Sequence, residues 1–369
     1  MKRIPLEIRS ETDRSYDVLV GRGILDSLHS EIQQLGSFSS FGLVTDEVVR
    51  PLVAEPLQKQ LRSRSIDPIL IALPPGESAK TIGTVLDLCQ QLLARGFDRR
   101  SILLAVGGGV VGDITGFAAA IYMRGIPYIQ VPTTLLAQVD SSLGGKTGVD
   151  LPAGKNLLGA FHQPRLVLSD LDVLATLPAD ARRDGFAEVI KAALIEDPEL
   201  FSILEKEGAD LLDTGNELME TIIAKACEVK CRVVNRDERE SGLRRILNFG
   251  HTLGHALEAA ANYNISHGQA VAIGMGLAVR LSRQWVGLSE DNAERALALI
   301  HKLGLPTDIP KNIDPEELLV PLEKDKKIQA GICHFVLLAE IGRAVIYPIP
   351  VNELLQGLTQ IQEFRDSGI

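Results

Sequence analysis

The sequence predicts a protein of two domains, an α/β domain followed by a mostly α-helical one. Up to residue 178, short segments rich in Ile, Val and Leu alternate with helical segments, which is typical of a parallel sheet covered by helices. From residue 179 onward, helical periodicity dominates. A chain of 369 residues also exceeds what one hydrophobic core usually organises. We therefore divide it into residues 1–178 and 179–369, with a functional site expected in the cleft between them.

The elements of the first half are predicted from apolar runs that Gly, Pro or Asp residues bound. Five strands are expected, at residues 15–21, 41–46, 67–74, 101–108 and 126–133. A helical pattern at residues 81–96 separates the third strand from the fourth. This succession of strand, helix and strand indicates a parallel sheet.

The second half contains four segments with helical periodicity. They lie at residues 183–195, 216–234, 270–286 and 292–304. Residues 333–349 predict a β-hairpin that turns at Gly342. The hinge between the halves is expected near residues 174–181.

Composition and charge exclude several classes of protein. Hydrophobic residues make up 45% and charged residues 23%, as in ordinary globular proteins. The net charge of −10 argues against a nucleic-acid partner. No apolar run approaches the roughly 18 residues of a membrane span, and the first residues lack the apolar core of a signal peptide. We therefore expect a cytoplasmic protein with no membrane partner.

The cysteines indicate reduced thiols. Cys227 and Cys231 lie four residues apart in a predicted helix. No nearby histidine or second cysteine pair completes a zinc set with them. Ordinary thiols, as in cytosolic proteins, are the expectation.

Two glycine-rich segments follow strands of the first half. Residues 107–112 read G-x-G-x-x-G between a strand and a helix, which predicts a helix N-terminus facing a phosphate group; the alternative is a turn required by packing alone. The usual acid about 20 residues later is missing, although Asp46 and Glu77 lie at other strand ends. Residues 140–156 place Lys146 and Lys155 among four glycines in what we expect to be a loop. An anion clamp is the sharper interpretation of this segment, and a solvated loop the plainer one.

A stripe of polar residues predicts a site in the second half. Arg244, Asn248, His251 and His255 follow at intervals of four, three and four, so they share one face of a helix. Such a stripe is poor core material because each buried polar group needs a partner.

Histidines and a carboxylate near this stripe predict a divalent metal site. Glu188 and two histidines would suit zinc or a similar ion, with one position open for substrate. His251, His255 and His267 are more histidines than this requires, and spacing alone leaves the spare one undecided. His255 and Glu258 could also form a ligand and its orienting carboxylate.

These segments together closely resemble the 3-dehydroquinate synthases, a family of sugar-phosphate cyclases. The matching stretches run in the family's order through nearly the whole chain: PGESAK, GGGVVGD, QVPTTLLAQVDSSLGGKTGV, GKNLLGAFHQP, GFAEVIK, LRRILNFGHTLGHALE, SHGQAVAIGM and DKK. The resemblance implies an α/β N-terminal NAD-binding (Rossmann-like) domain and a mostly α-helical C-terminal metal- and substrate-binding domain. It also implies NAD and one divalent metal, zinc or cobalt, as cofactors.

The resemblance further implies roles for individual residues. The implied metal ligands are Glu188, His251 and His267. The implied catalytic and substrate-binding residues are His255, Glu240, Arg124, Asp140, Lys146, Asn156, Lys191, Lys230, Arg244, Asn248, Lys326 and Lys327, with one of the last two in contact with substrate. The implied NAD contacts are Asp46, Glu77, Lys80, Gly109, Val110, Val111, Gly112, Asp113, Thr133, Thr134, Lys146, Lys155, Val173, Leu174, Ala175 and Thr176. The resemblance thereby assigns Lys155 to the cofactor site and no longer to the anion clamp. The family usually has Asn at Asp150 and often Tyr-Gly at Ala192-Ala193.

The implied reaction converts 3-deoxy-D-arabino-heptulosonate 7-phosphate, a phosphorylated sugar acid, into 3-dehydroquinate and phosphate in the shikimate pathway of aromatic amino acid biosynthesis. It proceeds by transient oxidation with NAD, elimination of phosphate, re-reduction and aldol cyclisation. The alternatives are a related cyclase acting on another heptulose phosphate, a metal-dependent polyol or alcohol dehydrogenase, and a non-enzyme that keeps NAD and metal as ligands. The many lysines count against a dehydrogenase. A homodimer is expected because dimers are the commonest symmetric assembly.

Overall fold

The computed structural model describes residues 14–261, 264–318, 321–322, 328–329 and 331–366. Lys326 and Lys327, both predicted near the substrate, lie outside these ranges. Among the described helices, none combines the length and the apolar character that crossing a membrane would require.

A six-stranded sheet forms the centre of the first half. Its strands are β1 (Asp17–Gly21), β2 (Phe41–Asp46), β3 (Ile69–Leu73), β4 (Ile102–Gly107), β5 (Tyr128–Pro132) and β8 (Leu166–Asp170). They lie in the order β1-β8-β5-β4-β2-β3, and every neighbouring pair is parallel. The five predicted strands are confirmed to within two residues at each end, whereas β8 was not predicted.

Helices cover both faces of this sheet. They are α1 (Leu28–Leu35), α2 (Glu55–Ser63), α3 (Ile82–Ala94) and α4 (Gly109–Ile121). Adjacent strand residues point to opposite faces, so Leu43 packs in the core beneath α1 and α2 and Val44 in the core beneath α3 and α4. Strands β4, β5 and β8 are buried throughout, as parallel strands covered on both faces must be.

The strand order places a binding crevice at the carboxyl ends of β2 and β4. From β2 the chain moves outward to β3, and from β4 it moves the other way, to β5. Ligands of open α/β sheets bind where the winding direction reverses in this way.

Residues 146–161 form an antiparallel hairpin of β6 (Lys146–Leu151) and β7 (Gly154–Phe161). The prediction of a loop over residues 140–156 is therefore wrong from residue 146 onward. The glycines serve close packing here: a Cβ on Gly148 would lie 2.6 Å from the carbonyl oxygen of Leu158, and one on Gly159 would collide with Thr147. Local composition suggested a flexible loop, but the strand pairing itself requires these glycines.

Helices and one hairpin make up the second half. They are α5 (Ala179–Glu196), α6 (Pro198–Glu207), α7 (Met219–Arg236), α8 (His251–Ala260), α9 (His267–Val286), α10 (Glu290–Lys302), β10 (Ile332–Glu340), β11 (Arg343–Pro350) and α11 (Val351–Asp366), with the short β9 (Ile328–Gln329) paired to β10. The four predicted helices and the hairpin turn at Gly342 are confirmed. The predicted fold class is therefore confirmed, while the division of the chain at residue 178 stays a prediction.

Candidate active site

Three side chains from three helices converge on one point. Glu188 lies within α5, and His251 and His267 are the first residues of α8 and α9. The Oε1 atom of Glu188 lies 3.3 Å from Nε2 of His251 and 3.4 Å from Nε2 of His267. Ligand distances of about 2.0–2.2 Å in a tetrahedral zinc site place neighbouring ligand atoms about 3.3–3.5 Å apart. The observed spacing therefore fits a divalent metal, and the three atoms are those predicted to bind it.

Glycines bring α8 and α9 close enough for this geometry. Gly250, just before α8, has a left-handed φ of 78°. A Cβ on Gly274 of α9 would collide with the carbonyl oxygen of Gly250. Ser266 caps α9 in a capping box with Gln269. The start of α8 therefore packs against the middle of α9, and Gly254 packs against Ala270 nearer the start of α9.

A backbone carbonyl oxygen and a carboxylate face the Nδ1 atoms of the two imidazoles. Nδ1 of His251 lies 3.2 Å from the carbonyl oxygen of Phe249, and Nδ1 of His267 lies 3.6 Å from Oε1 of Glu258. With a proton on each Nδ1, both Nε2 lone pairs face Glu188, as metal ligation requires. Burial alone would lower the pKa of His267, but Glu188 and Glu258 outweigh it and raise this pKa to about 10 in the protein without metal.

His255 lies next to this group but outside it. Its ring centroid is 5.4 Å from that of His251 and 6.1 Å from that of His267. With Glu258 and His267 it forms a second set of potential ligand atoms. The first set combines His251 with Glu188 and His267. Spacing along the helix also allowed His251 and His255 to share one metal, but the geometry favours His251 with His267.

A cluster of buried charges adjoins the metal group. Asp140 lies 3.3 Å from the ammonium of Lys191 and 2.7 Å from that of Lys230. Lys191 is also paired with Glu188. Burial would raise the pKa of Asp140, but the two lysines outweigh it and lower the pKa to about 2. Burial, followed by the nearby cations Lys191 and Arg244, lowers the pKa of Lys230.

A second part of the cluster lies on the loop between α7 and α8. Glu240 pairs with Lys146 and accepts a hydrogen bond of 2.6 Å from Nδ2 of Asn248. Arg244, only 1% exposed, donates to the carbonyl oxygen of Gly144 at 3.1 Å. Burial lowers the pKa of Lys146 to about 8, because Arg244 and Lys230 add to this effect and Glu240 offsets it only in part.

Sequence reasoning missed the residue that shapes this loop. The carboxylate of Asp237 accepts hydrogen bonds from the backbone N–H groups of Ser241, Gly242 and Arg244, at 2.7 to 3.0 Å. These bonds hold Glu240 in a left-handed conformation, with φ of 59°. The sequence feature that could have revealed this turn is Asp237 followed by Ser241 and Gly242, a pattern typical of turns capped by a side chain.

The predicted NAD residues line the carboxyl ends of the strands. Asp46 ends β2 and caps the backbone N–H of Val48 at 2.8 Å. Thr133 and Thr134 follow β5, and residues 173–176 follow β8. The crevice that the strand order predicts is therefore surrounded by these residues.

The glycine turn between β4 and α4 is closely packed, and phosphate binding there stays a prediction. A Cβ on Gly107 would lie 2.6 Å from Val111, and one on Gly112 would lie 2.8 Å from Gln130, so packing alone requires both glycines. Gly108, the N-cap residue of α4, provides no side-chain cap. The first N–H groups of the helix are therefore available for a phosphate.

Lysines of the first half connect the cofactor residues to the hairpin. Buried Lys80 lies 2.7 Å from Oδ2 of Asp113 and donates to Oδ1 of Asn156 at 2.6 Å. Asn156, predicted to contact substrate, thus bonds to a predicted NAD residue. The ammonium of Lys155 lies 3.9 Å from Glu77 and 3.0 Å from Glu258, which belongs to the second half.

Arg124 and the cysteines stand apart from the cluster. Arg124 is exposed, with a left-handed φ of 71°, and among the described residues it has no hydrogen bond or ion pair to the charged cluster. All four cysteines are thiols outside any disulfide of the described residues, and the thiol of Cys227 donates to the carbonyl oxygen of Gln138 at 3.3 Å. Asp150 accepts a bond of 2.7 Å from the N–H of Asn156, so it closes the turn of the β6–β7 hairpin. Ala192 and Ala193 are buried in the helical core.

Comparison with known protein families matches both halves of the chain. The family described as 3-dehydroquinate synthase N-terminal matches residues 70–184, and the one described as 3-dehydroquinate synthase C-terminal matches residues 185–328. The 3-dehydroquinate synthase of Pelobacter propionicus is 46% identical over 344 residues, covering 93% of this chain and 96% of the relative. That of Symbiobacterium thermophilum is 43% identical over 338 residues, covering 91% and 94%.

Solved structures with the same architecture bind NAD and a metal. A 2-epi-5-epi-valiolone synthase from Streptomyces hygroscopicus, with NAD+ and Zn2+ bound, is 32% identical with a TM-score of 0.88, covering 98% of this chain and 100% of its own. A 2-deoxy-scyllo-inosose synthase in complex with carbaglucose-6-phosphate, NAD+ and Co2+ is 29% identical with a TM-score of 0.85, covering 93% and 96%. A glycerol dehydrogenase from Schizosaccharomyces pombe, 16% identical with a TM-score of 0.69 and coverages of 98% and 93%, shares the fold alone.

Proposed function

Because the chain belongs to the 3-dehydroquinate synthase family, we propose that the cleft around Asp140, Lys191 and Arg244 is where it converts 3-deoxy-D-arabino-heptulosonate 7-phosphate into 3-dehydroquinate and phosphate. The enzyme is a phosphate-eliminating carbon–oxygen lyase that depends on NAD and a divalent metal. The roles of individual residues below are inferred from their contacts.

Glu188, His251 and His267 would hold the metal. Oε1 of the buried Glu188 lies at a distance from each Nε2 atom that suits two ligands of one tetrahedral metal site. When bound, Zn2+ or Co2+ supplies a Lewis acid that polarises substrate oxygens. The carbonyl oxygen of Phe249 holds the ring of His251 so that its Nε2 atom faces this position.

The carboxyl ends of β2, β4, β5 and β8 would hold NAD. NAD would supply a reversible hydride acceptor, so the overall reaction is redox-neutral. The N–H groups at the start of α4 would hold its pyrophosphate, and Asp46, at the end of β2, would hold its ribose. The β6–β7 hairpin packs against α4 and brings Lys155 and Asn156 toward the same crevice.

The net charge of the site is the observation that best supports a substrate with two anionic groups. Four cations, Lys146, Lys191, Lys230 and Arg244, face three carboxylates, Asp140, Glu188 and Glu240. A divalent metal would leave about three unmatched positive charges, and a substrate with one carboxylate and one phosphate carries about three negative charges near neutral pH. A neutral polyol would leave these cations uncompensated in a buried cleft, which is costly.

The remaining side chains orient the substrate and move protons. Asp140 holds the ammonium groups of Lys191 and Lys230 in place, so that they are positioned before the substrate arrives. Glu240 does the same for Lys146 and Asn248. His255 lies beside the metal ligands and carries an imidazole, which can accept and return a proton near neutral pH. We assign it the proton transfer at the substrate hydroxyl.

A phosphate-release assay with matched substrates tests this proposal. The enzyme, loaded with Zn2+ and NAD, should release phosphate from the heptulosonate 7-phosphate, stop after chelation and recover when metal is added back. A heptulose 7-phosphate without the carboxylate is the matched substrate. Release from this sugar alone would show a different cyclase, and stoichiometric NADH accumulation from a polyol would show a dehydrogenase.

Two further properties are proposed from the sequence alone. We infer a cytoplasmic location from the use of cysteine as thiols and a homodimer from the frequency of that assembly.

A further inference from the structure

Glu258 is a buried carboxylate for which the reaction described above gives no direct use. It lies two helical turns after His251 on α8, and its side chain is 3% exposed. Its Oε1 atom lies 3.6 Å from Nδ1 of His267 and 3.0 Å from the ammonium of Lys155. Its Oε2 atom is buried, and among the described residues it has no hydrogen-bond partner.

Burial of this carboxylate has to be compensated. Removing an ionised carboxylate from water costs several kcal/mol unless charges and hydrogen bonds replace its hydration. The two groups that do so here are a predicted metal ligand and a lysine 103 residues away in the β6–β7 hairpin. A group with no role at the metal could be replaced by an apolar residue at lower cost. The position of Glu258 is therefore best explained by what it does to these two neighbours.

Resting on the proposed function, we propose that Glu258 is a positioning residue of the metal site, which holds His267 as a ligand and is itself held by Lys155 of the hairpin. A neutral imidazole has one N–H group. When Nδ1 donates it to Glu258, the lone pair of Nε2 faces Glu188 and can bind a metal. Without the carboxylate, the proton can move to Nε2, and that atom then no longer serves as a ligand.

Lys155 makes the hairpin part of the metal site. Its ammonium balances the charge of Glu258 at Oε1, the same oxygen that faces Nδ1 of His267. The hairpin of the first half thus reaches a metal ligand of the second half through two side chains. We expect changes at Lys155 to alter metal affinity through Glu258, its ion-pair partner.

Metal binding without NAD or substrate tests the role of Glu258. Zn2+ and Co2+ affinities, measured by competition with a chelator, should fall about 10- to 100-fold in Glu258→Gln, the range typical for groups that orient a ligand. The visible absorption of bound Co2+ should shift as well, because it reports ligand geometry. Glu258→Asp keeps the charge and should bind more tightly than Glu258→Gln.

The matched control is Glu205→Gln. Glu205 of α6 accepts two hydrogen bonds of 2.9 Å from Arg295 of α10. Its substitution therefore also removes a carboxylate from an ion pair, but this ion pair does not involve the metal ligands. Its metal affinity should equal that of the unmodified protein. Lys155→Met should weaken metal binding less than Glu258→Gln, and the double variant should bind no more weakly than Glu258→Gln alone.

Each outcome decides between the inferences. If the unmodified protein binds no stoichiometric metal, the proposed metal site falls, and this inference with it. If it binds metal but folded Glu258→Gln binds with the same affinity as the unmodified protein and an unchanged Co2+ spectrum, or if Glu258→Asp binds no more tightly than Glu258→Gln, only the role of Glu258 is overturned. If the losses of metal affinity in Lys155→Met and Glu258→Gln add up in the double variant, the proposed action of Lys155 through Glu258 is overturned.

Discussion

Replacing Asp140 with Asn should destabilise the helical half by about 2–4 kcal/mol. The carboxylate holds Lys191 and Lys230 at 3.3 and 2.7 Å, and its side chain is 23% exposed. Its pKa of about 2, against an ordinary value of 3.8, corresponds to about 2 kcal/mol of interaction with these charges. The substitution also leaves two ammonium groups beside Arg244 without their counter-charge, and breaking a buried pair usually costs about 3–5 kcal/mol.

This contribution has a defined pH dependence. The pKa of Asp140 is depressed in the folded protein, so its stabilisation is present above the unfolded value of 3.8 and is lost as pH falls toward 2. Near pH 3 about half of the effect should remain. The Asn variant cannot ionise, so its disadvantage should shrink over the same range.

Urea unfolding of the metal-free protein at pH 7 measures the effect. Trp285 is the only tryptophan and stacks on Tyr347 in the helical half, with ring centroids 6.1 Å apart, so its fluorescence reports the unfolding of this half. The control is Asp172→Asn, which removes an exposed pair with Arg22 and should cost under about 1 kcal/mol. Equal losses in both variants would refute the assignment of a buried charge cluster. So would an undiminished loss when Asp140→Asn is made in a Lys230→Met background, because removing one stranded ammonium must lower the cost.

Three further predictions concern the metal, the substrate and the hairpin. His251→Ala should lose its metal in dialysis against buffer, whereas His255→Ala should retain stoichiometric metal and lose turnover; elemental analysis of both proteins checks this, and equal metal loss would restore the pairing of the two histidines on one ion. Because the pKa of Lys146 is about 8, its ammonium loses its proton above that pH, and kcat/KM for the anionic substrate should fall there. Lys146→Arg should move this fall to higher pH. An unchanged pH profile of kcat/KM would contradict a substrate contact by Lys146. Gly148→Ala should cost about 1–3 kcal/mol and weaken NAD binding measured by fluorescence titration, because its Cβ would meet Leu158 at 2.6 Å. Gly83→Ala on α3 is its control, since that Cβ meets Thr81 at an ordinary 3.5 Å, and an equal effect of both changes would rule out packing of the hairpin as the cause.

The order of helices and strands followed from sequence because it depends on local patterns. Apolar runs of β-branched residues and a period of 3.6 residues are properties of short segments, and they located five strands and five helices. The types of metal ligand and the presence of many cations were equally local information. The hairpin at residues 146–161 was mispredicted because its glycines serve a contact between two strands, which composition alone cannot distinguish from a flexible loop.

Only the tertiary structure decided how the site residues combine. A helix places His251 and His255 on one face, so spacing could not exclude either of them as a ligand. The close crossing of α8 and α9 at Gly250 and Gly274 sets His267 beside His251 and leaves His255 outside the group around Glu188. The contact of Lys155 with Glu258 spans 103 residues and likewise follows from the packing of the hairpin against α8. The sequence by itself determined which chemical groups the protein carries, and packing determined which of them meet, because contacts between distant segments depend on the shape of the whole chain.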